Sequence, residues 1–287
     1  MTEKRGEKLE GLSLEEKRKR WRAAPQRLFW KMAAASGADI RFKRRLAIAA
    51  GKRSADKSLR FHIPFAIAER ALGEAAIIMA DPRKINRWLI SEGRSEQGVE
   101  SPRDYFLVSG RWESLVQPIG ESDLDGEVRD LIATGGEVRL TPAFERLAAR
   151  LRDEGPFVHN RVMLAKESDL ERYLTYHAAL IESIRQHGVV RRRDLARIGP
   201  FAKRPGTNGK ALEAAETDSG VAIGPGGRLL RYRGGFHRNA AARELGLKRM
   251  PVHVKLVHVQ WLRRMVRELN LSPHEALLEG LRKLSIE

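Results

Sequence analysis

The chain has 287 residues, with 54 Lys and Arg against 37 Asp and Glu, a formal charge of +17 and an isoelectric point near 10.5. It contains no cysteine, which excludes disulfides, thiolate catalysis and Cys-based zinc or iron–sulfur sites. A field of that sign attracts phosphate polymers, anionic surfaces and phosphorylated small molecules, but it does not specify a fold.

The basic excess is concentrated at the start. Residues 1–60 hold 18 Lys and Arg against 7 Asp and Glu, so +11 of the total +17 lies there. The clusters are Lys17, Arg18, Lys19 and Arg20, then Arg41, Lys43, Arg44 and Arg45, with Trp21, Trp30 and Phe42 among them. Ser13 followed by Glu16 forms a capping-box pattern and predicts a helix over residues 14–35. One reading is a non-catalytic patch for the DNA or RNA backbone, with aromatics that stack on bases. The other is a solvated helix face with the aromatics packed inward. The first residues carry mixed charge with no apolar run behind them, unlike a secretory signal. The greasiest stretch, residues 65–80, is interrupted by Glu69, Arg70 and Glu74, unlike a membrane span. The expectation is a soluble cytoplasmic protein with no membrane partner.

Further along, residues 66–79 and 85–91 read as helices, residues 105–112 as a strand, 120–126 as a polar loop and 144–152 as a short helix after Pro142. Ser168 and Glu171 form a second capping-box pattern. Behind them Leu170, Tyr173, Leu174, His177, Leu180, Ile181 and Ile184 mark one helical face, closed by Gly188. Val189 and Val190 look like the start of a strand. Residues 191–216 read as a basic connection with a short helix near its end. Residues 221–223 and 229–232 flank Gly224, Pro225, Gly226 and Gly227 as a hairpin. Helical residues 238–245 then stop at Gly246. Met250, Val252, Val254 and Leu256 alternate with polar positions as a half-buried strand. Two helices, 258–270 and 273–285, finish the chain, the second capped by Ser272 with Glu275.

The most informative segment is Arg233, Gly234, Gly235, Phe236, His237 and Arg238, between strand and helix. Glycines permit positive φ and close backbone approach. The helix start offers N–H groups without intrahelical acceptors and a partial positive charge, which is an anion site. Arg238 adds a fork that grips phosphate oxygens in pairs, and His237 adds a further donor. Gly234, Gly235, His237 and Arg238 are therefore the candidate phosphate-binding residues.

The order of features strengthens this. Leu180, Ile181, Glu182, Ser183 and Ile184 come first, then Gly188 and Val189, the hairpin, the Gly-x-His-Arg turn and an alanine-rich helix. Leu245-Gly246-Leu247 and Met250-Pro251-Val252-His253-Val254 follow. This succession, over about residues 168–257, resembles the ParB/sulfiredoxin-like domain. The resemblance implies a small α+β domain with a mixed sheet, whose glycine turn and following helix bind nucleotide phosphates. Its members include CTP-hydrolysing chromosome-partition proteins, ATP-using sulfiredoxins and free-serine kinases. Gly234, Gly235, His237 and Arg238 match the Gly-Gly-Cys-His-Arg signature of sulfiredoxins, but Phe236 stands at the catalytic cysteine. Against the ParB pattern Gly-Glu-Arg-Arg-x-Arg-Ala, Gly235, Arg238 and Ala241 fit. Phe236 replaces the acid there, His237 one arginine and Ala240 another. The resemblance implies a nucleoside triphosphate with Mg2+ as cofactor and, for an enzyme, phosphotransferase or nucleotide hydrolase chemistry. It supplies no acid or base.

His237, Asp218 and Glu182 are the candidates for that role. Asp218 precedes the hairpin and is near enough in sequence to reach the turn, or it serves only as a turn former. Glu182 is a helix acid of the kind usually left in solvent. His253 and His258 flank a strand end. No His, Asp or Glu spacing makes a metal site. Residues 204–210 fail the P-loop pattern, because Arg204 stands at the first glycine and Ala211 follows Lys210. The expected organisation is α+β, with a basic helical segment 1–60, an α+β region 61–160, the ParB/sulfiredoxin-like domain 161–258 and a helical hairpin 259–287.

Overall fold

A computed structural model describes residues 38–51, 59–90, 101–119, 123–160, 162–191, 193–194 and 218–286. The helix expected over 14–35, the cluster Lys17–Arg20, Trp21, Trp30 and the 204–210 loop lie outside these residues. The described chain mixes helix and sheet, in keeping with the α+β expectation.

In chain order the strands are β1 (Arg60–Pro64), β2 (Ile77–Ala80), β3 (Arg87–Leu89), β4 (Tyr105–Ser109), β5 (Val116–Pro118), β6 (Phe157–His159), β7 (Val162–Leu164), β8 (Gly220–Ile223), β9 (Leu229–Arg231) and β10 (Met250–His258). The helices are α1 (Ala38–Gly51), α2 (Phe65–Leu72), α3 (Asp123–Ala133), α4 (Pro142–Glu154), α5 (Glu167–His187), α6 (Phe236–Glu244), α7 (Val259–Leu269) and α8 (Pro273–Ile286). The main sheet runs β1-β4-β10-β8-β9-β3-β5, and β2 also pairs with β10. Strands from residues 61–160 and from 161–258 thus share one sheet rather than forming separate units. Central β10 lies antiparallel to β2 and parallel to both β4 and β8.

Several local readings change. The apolar run at 66–79 is not one helix. Gly73 adopts φ 50 and ends α2, and Ile77–Ala80 then pair with β10. Residues 87–89, expected to be helical, form β3 between β5 and β9. Val189 and Val190 lie in no strand. Helix α5 is capped by Asp169, whose carboxylate accepts from the backbone N–H groups of Ala165 and Lys166 at 3.1 and 3.2 Å. Glu171 of the expected box instead pairs with Arg139. At α8 the Ser272–Glu275 box forms as read, with Ser272 N donating to Glu275 at 3.2 Å and Glu275 N to Ser272 Oγ at 3.4 Å. Strand β10 is buried on both faces from Val254 to His258 rather than half-buried, as its central place requires.

Two groups of helices flank the strands. Helix α6 packs against α3 and α5, and Ala240, Ala241 and Ala242 are fully buried there. Their small side chains let the helix axes approach closely. Helices α1, α7 and α8 pack together, with α2 against α1. No described helix is long and apolar enough to cross a membrane.

The turn between β9 and α6 folds back onto the start of β8. A Cβ on Gly220 would lie 2.1 Å from the Tyr232 carbonyl oxygen and 2.4 Å from that of Arg233. We therefore expect Gly220→Ala to lower stability in urea unfolding by about 3 kcal/mol or more, as a backbone clash that cannot relax. Gly226→Ala, where nothing lies within 4 Å, should stay within about 0.5 kcal/mol of wild type.

Candidate functional site

Three successive residues with positive φ make the turn: Arg233 at 54°, Gly234 at 89° and Gly235 at 66°. For Arg233 the left-handed conformation costs about 1 kcal/mol, so something must hold it. Lys255 Nζ donates to the Arg233 carbonyl at 2.8 Å and approaches that of Asp218 at 3.4 Å. The Arg233 guanidinium donates to the Arg103 carbonyl and lies over the Phe65 ring. Gly235 has a steric role too, because its Cβ would fall 2.4 Å from Ser219 Oγ and 2.5 Å from Ser219 Cα. Gly235 is the N-cap of α6 and brings no side-chain acceptor to the first turn, which holds Phe236, His237 and Arg238.

Asp218 does reach the turn. Its carboxylate lies 3.6 Å from Arg238 Nη1 and 3.6 Å from Arg191 Nε. Arg191 and Arg193 both engage Glu74, whose carboxyl group the Arg191 hydrogen bond holds below its ordinary range. Arg191, Arg193, Arg233, Arg238 and Lys255 gather around the turn, and Asp218, Glu74, Asp194, Glu69 and Asp104 are carboxylates that act on them. Glu182 is not part of this group. It is exposed on α5, where Arg185 and Gln186 of the same helix bond its carboxylate.

His237 points the other way, into a polar cluster that the sequence reading missed. Glu127 of α3 is 3% exposed and accepts from His159 Nε2 at 2.6 Å and from the Tyr173 hydroxyl at 3.0 Å. The Tyr173 oxygen accepts in turn from Asn160 Nδ2 at 2.7 Å and lies 3.3 Å from His237 Nε2. The His177 ring stacks on that of His237, 3.7 Å between centroids and 12° from parallel. Tyr173 and His177 were visible in sequence as polar rings four residues apart on the apolar face of α5. Glu127 carried no such signal.

Phe236 packs its ring under the Arg231 guanidinium at 4.8 Å. Arg231 is itself buried against fully buried Asp125, with oxygens at 3.0 and 3.2 Å, and Arg243 adds a contact at 3.3 Å. Removing one partner of such a pair costs about 3–5 kcal/mol, so this pair anchors α3 to β9 and α6. Burial lowers the affinity of Arg231 for its proton.

The other candidates lie away from the turn. His258 caps α7: its Nδ1 accepts from Gln260 N at 3.0 Å and its Nε2 donates to the Gly110 carbonyl at 2.8 Å. Arg41, Lys43 and Arg44 are exposed on α1, and Arg45 is half-buried near the His62 carbonyl. Phe42 between them is fully buried against Phe106 and His274, so it is not a stacking platform for bases. Among the described residues, no group of three or more His, Asp or Glu side chains is placed to hold a metal ion.

No family model, curated protein or solved structure matches this chain.

Burial of Lys255 predicts a pH effect. Its ammonium group, 2% exposed, is pushed down from 10.5 to about 7, first by desolvation and then by the charge of Arg233. Between those values the unfolded chain binds the extra proton, so stability rises with pH through that window. Tyr232, pushed up to about 12 by burial, opposes this only above about pH 10. Urea unfolding should thus show stability increasing from pH 7.5 to 9, by at most about 1.4 kcal/mol per pH unit. Lys255→Met should flatten that rise, and an unchanged slope would refute the assignment.

Proposed function

We propose that this chain is a ParB/sulfiredoxin-like protein that binds the phosphates of a Mg2+-bound nucleoside triphosphate at Gly234, Gly235 and the first turn of α6. The observation that carries this reading is the run of three left-handed residues, which presents the start of a nine-residue helix with Arg238 in its first turn. Strained backbone at a non-glycine residue persists where the surrounding structure enforces it, and such positions concentrate at ligand sites. Helix-start N–H groups and the macrodipole favour an anion, and the Arg238 guanidinium in that first turn adds to this. The hairpin β8–β9 before the turn and the buried alanine helix after it support the family reading.

In this account the backbone and Arg238 hold phosphate. Asp218 keeps the Arg238 guanidinium near the turn until an anion takes its place. The DNA- or RNA-binding alternative loses its aromatic partner at Phe42, although Arg41, Lys43 and Arg44 remain exposed to meet a phosphate backbone.

Calorimetry of the full chain with ATP, CTP and GTP in the presence of Mg2+ tests the proposal. At least one nucleotide should bind, and Arg238→Ala should weaken it by about ten-fold or more, the loss of a charge-assisted hydrogen bond. Failure of all three nucleotides to bind would sink the reading.

A further inference from the structure

We infer that the ammonium of Lys255, delivered beneath the turn by a bulge in β10, is a positioning residue of the phosphate site and couples anion binding to proton uptake. This rests on the binding reading above and adds to it a group outside the glycine signature.

The bulge is visible in both pairing and packing. Met250, Val252 and Val254 alternate into the core that also holds the alanines of α6. The register against β8 then slips: Val254 pairs with Val221 and Leu256 with Ala222, so Lys255 is an extra residue on β10. Past it, Leu256 packs in a separate core with Ala222 and Tyr232, and Val257 returns to the first. A bulge of this kind re-aims a side chain. The stem of Lys255 lies against Gly220, where a Cβ would come within 2.9 Å of Lys255 Cδ. Its Nζ reaches two carbonyls that belong to the site. One is that of Arg233, which opens the left-handed run, at 2.8 Å; the other is that of Asp218, at 3.4 Å. The Asp218 carboxylate is in turn the one beside Arg238. A single ammonium thus ties the entry of the turn to the chain that attends its arginine.

A neutral donor would serve those carbonyls with less desolvation, so the charge calls for its own account. The charged groups that act on Lys255 are Arg233 and Arg238, which oppose its proton, and Asp218 and Glu69, which favour it. His253, two residues earlier on β10, feels the charge of Lys255 in return. Burial first, and then Arg233, hold the group at about 7 in the free protein. A phosphate beside Arg238 brings negative charge to this group and offsets both guanidinium ions. The protonated form of Lys255 gains from that and the neutral form does not, so the anion raises its pKa. By linkage, the protonated lysine strengthens the anion by the same factor. Between about pH 7 and the raised value the free protein has given up the proton and the complex takes it back from solvent. Affinity therefore falls as pH rises through that window.

Two measurements on the full chain test this, with ATP, CTP and GTP and saturating Mg2+. NMR titration of the lysine ammonium groups in the wild-type protein should place the midpoint of Lys255 about one pH unit higher with nucleotide bound. An unmoved midpoint overturns the inference without recourse to any variant. Calorimetry at pH 7.5 in buffers of different ionisation enthalpy should show uptake of about half a proton more in wild type than in Lys255→Met. The difference between the two proteins cancels titration of the nucleotide and of other residues. From pH 7 to 9 wild-type affinity should weaken about five-fold more than that of Lys255→Met, which starts weaker and converges on wild type. A variant weaker by one constant factor at every pH is what a purely structural lysine gives. That result, or equal proton uptake in the two proteins, overturns the inference and leaves the binding reading standing. Absence of nucleotide binding at every pH removes both.

Discussion

The start of β8 and the turn before α6 share one narrow space, and the site depends on that closeness. Gly220 lies under the carbonyls of Tyr232 and Arg233, and Gly235 lies against Ser219. Gly220 N donates to the Gly234 carbonyl at 3.3 Å and Tyr232 N to the Gly220 carbonyl at 2.8 Å. These contacts give the chain little choice but to enter α6 through left-handed conformations. A side chain at Gly220 or Gly235 would push the turn outward and carry the start of the helix with it. The same crowding brings Asp218, immediately before Ser219, beside Arg238.

Charge builds on that geometry at two depths. Beneath the turn, Lys255 donates to the carbonyl of left-handed Arg233, and burial lowers its pKa. Behind the turn, Asp125 balances Arg231 and Arg243, so the backbone of β9 and α6 is fixed against α3. Between these two, the Glu127 carboxylate lies 4.0 Å from His237 Nε2. On one side of the turn Asp218 lies between Arg191 and Arg238, whereas on its inward side Glu127 meets His237 by way of the Tyr173 phenol.

Much of the turn was legible in the residues, because its determinants are local. Paired glycines, a preceding hairpin and an alanine-rich helix are consecutive in the chain, and each has a short-range steric cause. Asp218 was legible for the same reason. The buried polar cluster was not, because Glu127, His159, Tyr173 and His237 come from four elements and meet only through packing. Tyr173 and His177 read as core positions on α5, which they are; nothing in their spacing says which polar atoms lie opposite. Lys255 was hidden by its parity: alternation on β10 suggested a solvent face, but pairing with β2, β4 and β8 made that strand central. The misread helices at 66–79 and 85–91 have a similar origin. Short apolar runs suit either state, and a partner strand distant in sequence decided for sheet.

The central claim is that phosphate sits on the Gly234–Gly235 turn at the start of α6. A crystal structure with a non-hydrolysable nucleoside triphosphate and Mg2+ tests it most directly. The account predicts phosphate oxygens within about 3 Å of first-turn N–H groups and of the Arg238 guanidinium, the ordinary length of charge-assisted hydrogen bonds. Phosphate bound elsewhere, with the turn and Arg238 left in contact with solvent and Asp218 alone, would contradict it.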